Sequence, residues 1–238
     1  MKKPEFITVK QAVDRIKSGT TICTIGMTLI SACESILKEL ENRFLETGQP
    51  NLTYVHTCGQ SDRKAGAVYR MAHEGLTKRV IGGHWGLCPK MMELISENKI
   101  EAYNLPQGQM ANMFHSMALR EPGKISKIGL GTFIDPRVEG GKMNARTRHL
   151  EDIVDVVKFD GEEYLRYREI PIDTLLIRGT YADENGNIST QEEAMVLELL
   201  PAVMATRRFG GQVICQVKQV VKAGSISPKE VVVPGVLV

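Results

Sequence analysis

The segment Thr21-Ile-Cys-Thr-Ile-Gly-Met-Thr-Leu-Ile-Ser-Ala-Cys-Glu-Ser-Ile-Leu-Lys-Glu-Leu-Glu-Asn-Arg-Phe44 reads as three pieces in series. Residues 21–25 are rich in β-branched side chains, the composition of a strand. Gly26 interrupts them, and Ile36, Leu37, Leu40 and Phe44 then recur on one helical face. Strand, glycine turn and helix is the unit from which parallel sheets are built. The same alternation continues outward. Upstream, Val9, Ala12, Val13 and Ile16 mark a short helix over 8–17 with Thr8 as its N-cap. Downstream, strands are expected at 51–56, 79–82, 102–104, 125–130, 154–159, 162–168, 174–179 and 212–221. Helices are expected at 90–98, 110–120 and 195–209. Neither an internal repeat nor a low-complexity linker divides the chain. The expected fold class is α/β: one domain over residues 1–238 with an open, mainly parallel sheet and helices on both faces.

The composition bounds the function. A chain of 238 residues that is 42% hydrophobic and 24% charged is that of a soluble globular protein with a sizeable core. Its net charge of +2 gives no ground for a nucleic-acid or membrane partner. A few placed cations still suffice for an anionic cofactor. No apolar run approaches the length of a transmembrane helix. Met1-Lys-Lys-Pro-Glu-Phe6 carries lysines with no apolar stretch behind them, so no secretory signal is expected. Cys23, Cys33, Cys58, Cys88 and Cys215 are odd in number and scattered, which fits a reduced cytoplasm better than a disulfide framework. Glu230-Val-Val-Val-Pro-Gly-Val-Leu-Val238 is an apolar stretch rather than a polar fray. It suggests a fragment or a subunit that buries its tail against a partner.

Several motifs carry chemistry and also admit plainer readings. Gly26-Met27 stands where the first strand meets its helix, where backbone N–H groups can hold a phosphate or an oxyanion, or simply form a tight turn. Pro106-Gln107-Gly108 reads as a turn holding a primary amide at a defined angle, or as an ordinary turn with a solvated glutamine. The loop Cys58-Gly-Gln-Ser-Asp-Arg-Lys-Ala-Gly66 follows a strand end, where open α/β sheets bind ligands, so Cys58, Gln60 and Ser61 are candidate pocket residues. Arg63 and Lys64 could meet phosphate but read better as solvated charges. In Gly82-Gly-His-Trp-Gly86, Trp85 is expected to pack and His84 to be a structural histidine. His84 and Cys88 have helical metal spacing but no companion pair, so no metal site is expected. Glu184-Asn185-Gly186 reads as a tight turn.

Taken with Tyr103-Asn-Leu-Pro-Gln-Gly108 and Tyr181-Ala-Asp-Glu-Asn-Gly-Asn-Ile188, the glycine-punctuated segment Gly129-Leu-Gly-Thr-Phe-Ile-Asp-Pro-Arg-Val-Glu-Gly-Gly-Lys-Met-Asn144 resembles the N-terminal half of the family I coenzyme A transferases, most of all the acetate and propionate enzymes. The resemblance runs from about Thr8 to Val238. It implies acyl-CoA and a short-chain carboxylate as substrates, with coenzyme A passing through rather than bound permanently, and a homo-oligomer. It implies that Gln107 reaches the catalytic carboxylate, with Gly26, Met27, Cys58, Gln60, Ser61 and Gly108 about the substrate. It also implies that the nucleophilic glutamate lies in a C-terminal half or β-like subunit, so that this chain alone is inactive. Met27, Leu29 and Cys33 stand where the family usually has an aromatic residue, a second glycine and a proline. The same fold also serves effector-binding and sugar-phosphate-binding domains, the alternative reading.

Overall fold

The structure, a computed structural model, describes residues 4–48 and 51–238. Helix α1 (Val9–Asp14) starts at Thr8 in a capping box: Thr8 Oγ1 accepts the Gln11 N–H, and Gln11 Oε1 accepts the Thr8 N–H. Such a cap contributes about 1 kcal/mol. There follow β1 (Thr21–Thr24), α2 (Glu34–Thr47), β2 (Leu52–His56), α3 (Val68–Met71), β3 (Thr77–Gly82), α4 (Pro89–Ser96), β4 (Glu101–Asn104) and α5 (Gln107–Ala118). The chain continues through β5 (Lys124–Ser126), α6 (Ala145–Arg148), β6 (Val154–Phe159) and β7 (Glu162–Tyr167). It then forms β8 (Thr174–Asp183), β9 (Ile188–Ser189), α7 (Leu199–Arg208), β10 (Gln212–Val221) and β11 (Val231–Val233).

The main sheet runs β11-β9-β8-β1-β2-β3-β4, with β10 also paired to β8. All pairings among β1, β2, β3, β4, β8 and β10 are parallel; only β9 and β11 run against their neighbours. The two-residue period of each strand divides its side chains between two cores. Ile22, Tyr54, Val80, Ala102 and Leu176 join the side covered by α1, α2, α3 and α4. Cys23, Val55, Ile81, Tyr103, Leu175 and Ile177 join the side covered by α5 and α7. A sheet buried on both faces favours apolar and β-branched residues at successive positions, as at residues 22–25 and 175–177.

The expected α/β class with a mainly parallel sheet is therefore the observed one, and the differences are local. The strand expected at 125–130 pairs only over β5, and beyond Ser126 the chain turns. Strands β5, β7 and β6 form a separate three-stranded antiparallel sheet. It adds Val154, Leu165 and Tyr167 to the α5–α7 side of the core. The helix expected from 195 begins only at Leu199, because Leu197 takes a left-handed φ of 53° that no helix continues through. Gly129, Gly131, Gly140 and Gly141 all have positive φ, so the loop after β5 is shaped as its punctuation suggested. All five cysteines are unpaired. Among the described residues, no helix is long and apolar enough to cross a membrane.

Candidate active site

Parallel strands bring their carboxyl ends to one edge, and here the loops leaving β1, β2, β3 and β4 converge there. Gly26 is buried, and a Cβ on it would stand 2.7 Å from the Ile30 carbonyl, so the turn after β1 closes only with glycine. Met27 and Ile30 exchange both backbone hydrogen bonds across that turn. The Thr28 N–H reaches over to the Gly59 carbonyl at 2.7 Å, tying the β1 loop to the β2 loop. Glu34, first residue of α2, accepts the Ala67 N–H at 2.8 Å and adds a second tie. Strained backbone gathers at this rim. Thr28, Ser31, Arg63, Ala67 and Leu197 all have φ between 53° and 64° without being glycine. Such residues persist where the surrounding structure overdetermines them, and they cluster at functional sites.

Beneath the loops lies a buried polar clasp. Thr24 Oγ1 donates to Gln60 Oε1 at 2.8 Å, and Gln60 Nε2 donates to the Thr24 carbonyl at 3.1 Å. With its one proton committed there, Thr24 Oγ1 accepts from Tyr54 Oη at 2.6 Å. Gln60 is 1% exposed, and its amide faces the sheet rather than a ligand. Ser61, 2% exposed, accepts the Arg63 N–H through Oγ. Both residues named as pocket candidates thus shape the loop from within. Next to them is His56, the last residue of β2, whose Nδ1 lies 2.6 Å from the Cys58 carbonyl. A carbonyl only accepts, so Nδ1 carries the proton and Nε2 is bare. That Nε2 is buried without a hydrogen-bond partner, and the ring meets Trp85 edge-on at 4.5 Å. Burial pushes the His56 pKa from 6.5 down to about 4.

The linkage has a definite sign. The unfolded chain takes up a proton on His56 below pH 6.5, whereas the folded chain resists until about pH 4. Stability is therefore lost as pH falls across that window, by roughly 3 kcal/mol from this group. Urea unfolding at pH 6.5 and 4.5 should show the loss, and His56→Gln, which keeps a donor for Cys58, should flatten it. An equally steep slope in the variant would assign the loss elsewhere.

Gln107 is the first residue of α5, with Pro106 as its N-cap at φ −59°. The turn expected at Pro106-Gln107-Gly108 is instead a helix start, and Gly108 is helical with open space about its α-carbon. Gln107 is exposed, and its backbone is set against Gly83, where an added Cβ would lie 3.0 Å from the Gln107 α-carbon. Cys58 lies beside it, 8% exposed. Burial raises the Cys58 thiol pKa, with the Gly59 N–H and the Gln107 amide pulling the other way. Glu198 accepts a hydrogen bond from the hydroxyl of Thr57, the residue before Cys58. An exposed primary amide at a helix start, backed by rigid strand ends, can donate to an oxygen that gains charge.

Trp85 packs as expected, at 3% exposure, and the His84 ring lies across Gly59 with its surface exposed. Arg63 and Lys64 are exposed in a loop organised by Asp62, which accepts three backbone N–H groups and is thereby held at a pKa of about 2. Glu184 sits in the turn between β8 and β9 and accepts the Ala223 N–H. No three His, Cys, Asp or Glu among the described residues could jointly hold a metal ion. His56, Thr57, Gly83 and Glu198 were not singled out in the sequence. Only the double glycine at 82–83 carried a signal, and it marked a turn rather than a point where three loops meet. A cavity of about 800 Å³ opens elsewhere, between residues 4–9, β10, Val236 and Val238, and holds none of these groups.

The coenzyme A transferase family matches residues 6–238. The caffeate CoA-transferase of Acetobacterium woodii is 39% identical over 98% of this chain and 44% of its own length. The acetate CoA-transferase YdiF of Escherichia coli K12 is 38% identical over 98% of this chain and 44% of its own length. The crystal structure of the acyl-CoA transferase YdiF apoenzyme from Escherichia coli O157:H7 superposes with a TM-score of 0.94 at 37% identity. That superposition covers 99% of this chain and 47% of the other. The chain thus spans less than half the length of these relatives.

Proposed function

Since this chain belongs to the coenzyme A transferase family, we propose that it is the α-like half of a short-chain acyl-CoA:carboxylate CoA-transferase of the acetate and propionate type. The observation that carries the reading is the meeting of the loops at the carboxyl ends of β1 to β4, where exposed Gln107 lies against Gly83 with its amide beside Cys58. The likeness to the caffeate and acetate enzymes supports the reaction class.

In this reading the nucleophile is a glutamate of the complementary half. Its carboxylate attacks the acyl-CoA thioester carbonyl, and the carbon–sulfur bond breaks to leave an acyl-glutamyl anhydride and CoA thiolate. The thiolate returns to the glutamyl carbonyl and releases the acid as carboxylate, giving a glutamyl-CoA thioester. The incoming carboxylate reverses both steps, so the kinetics are ping-pong. Each attack places negative charge on a former carbonyl oxygen, and the Gln107 amide is the donor this half supplies to it. Residues 26–28 and 58–59 form the adjoining wall, with Gln60 and Ser61 holding the loop from behind.

The test is complementation. The 238-residue chain alone should transfer no CoA from acetyl-CoA to propionate, because Glu184, the one glutamate in a Glu-Asn-Gly context, is occupied in a turn far along the chain from the crevice loops. Adding the complementary half, in trans or fused after Val238, should restore ping-pong transfer. Transfer by the purified chain alone would overturn the assignment.

A further inference from the structure

Glu198 has no part in the mechanism above, and its setting is unusual. It immediately precedes α7, half-buried, after Leu197 with its left-handed backbone at φ 53°. Leucine is disfavoured there, so the position of Glu198 is held against local strain. The segment before α7 is anchored to the crevice from the other side, because Ser31 Oγ donates to the Met195 carbonyl at 3.1 Å. It therefore meets the loops after β1 and β2, through Ser31 on one side and Thr57 on the other.

The neighbouring acids in this segment are neutralised. Glu192 pairs with Lys218 at 2.5 Å and Glu193 with Arg178 at 2.8 Å. The Glu198 carboxylate has only the Thr57 hydroxyl as a hydrogen-bonded partner among the described residues. Its charge reaches the ends of β1 and β2, where it helps raise the thiols of Cys23 and Cys58 behind the larger effect of their burial. A carboxylate with no ion pair among the described residues would be a poor feature in a site that only needed to attract anions. It suits one that must reject some of them.

We propose that Glu198 sets the charge selectivity of the acyl site, excluding acyl groups that carry a second carboxylate and admitting those that end in an apolar group. This rests on the transferase reading above. A monocarboxylate substrate directs its single charge at the reacting centre, and its apolar end can lie near Glu198 at no electrostatic cost. A dicarboxylate would place a second negative charge in the half-buried space near Glu198, where like charges repel far more than in water. Specificity of this kind comes from a built-in repulsive element rather than from an added attraction.

The experiment compares propionate with succinate as acceptors from acetyl-CoA, using the chain reconstituted with its complementary half. Glu198→Gln should raise the succinate-to-propionate ratio of kcat/KM by about tenfold or more, the size expected for one like-charge contact at a partly screened site. Glu198→Asp, which keeps the charge, should leave the ratio near wild type. If Glu198 merely positions Thr57, both acceptors lose equally and the ratio does not move, which would overturn the proposal. Wild-type transfer to propionate is measured first and tests the transferase reading by itself. Should that transfer be absent, thermal stabilisation by propionate and by succinate at matched ionic strength reads the same preference without turnover. Succinate stabilising wild type as well as propionate does, or neither stabilising it, would sink the proposal.

Discussion

Replacing Gln107 by alanine in the reconstituted enzyme should lower kcat by ~10²–10³, the usual consequence of removing one pre-aimed oxyanion donor. The size follows from how the amide is held. Pro106 sets the entry to α5 at φ −59°, and Gly83 allows the β3 loop to press against the first residue of the helix. Little reorganisation is then needed as charge develops, the condition under which a single donor contributes most. The side chain is exposed, so the folded chain should lose little stability. Gln107→Glu should be at least as harmful, since a carboxylate beside the nucleophile repels it and raises its pKa. Steady-state kinetics with acetyl-CoA and propionate decide the matter. If both variants keep wild-type kcat, the amide is a solvated group, and the crevice wall that matters lies at Cys58 and the 26–28 turn.

The fold was legible in this sequence because both faces of its sheet are buried. Residues 21–25 showed as a stretch rich in β-branched side chains, 175–177 are continuously apolar, and the helix through Phe44 carried a clear stripe. What escaped was set by tertiary pairing. The strands at 154–159 and 162–168 were visible, but their pairing into a second sheet with β5, only three residues long, was not. Of the candidate site, the sequence singled out Gln107 as a held amide, yet its turn is a helix start, because Pro-x-Gly is compatible with either and Gly108 needs no special φ. Gln60 was expected to face a ligand, but a buried threonine needed both ends of its amide. Glu198 stood within an apparent helix and gave no sign of itself. Its position comes from a strained leucine that spacing alone does not reveal.

Gly83 is the point where these loops depend on one another, and Gly83→Ala should be nearly as damaging as the loss of Gln107. A Cβ there would lie 2.3 Å from the Thr57 carbonyl, 2.9 Å from the Gln107 Cβ and 3.0 Å from its Cα. The Thr57 carbonyl and the Gln107 Cα are backbone, so neither can move aside by a change of rotamer. Either the end of β2 or the start of α5 must shift. Forced shifts of this kind cost about 1–3 kcal/mol of stability. A displacement of about 1 Å at a positioned catalytic group costs about 10² in rate. The variant should therefore fold with a lowered Tm and turn over about a hundredfold more slowly, with the rate measured well below its Tm. The decisive arm is the double variant Gly83→Ala/Gln107→Ala. If the methyl group acts by misplacing the Gln107 amide, the double variant should be little slower than the worse single one, because both remove the same contact. Losses that multiply in full would show that Gly83 serves the crevice through Thr57 and the β2 loop instead.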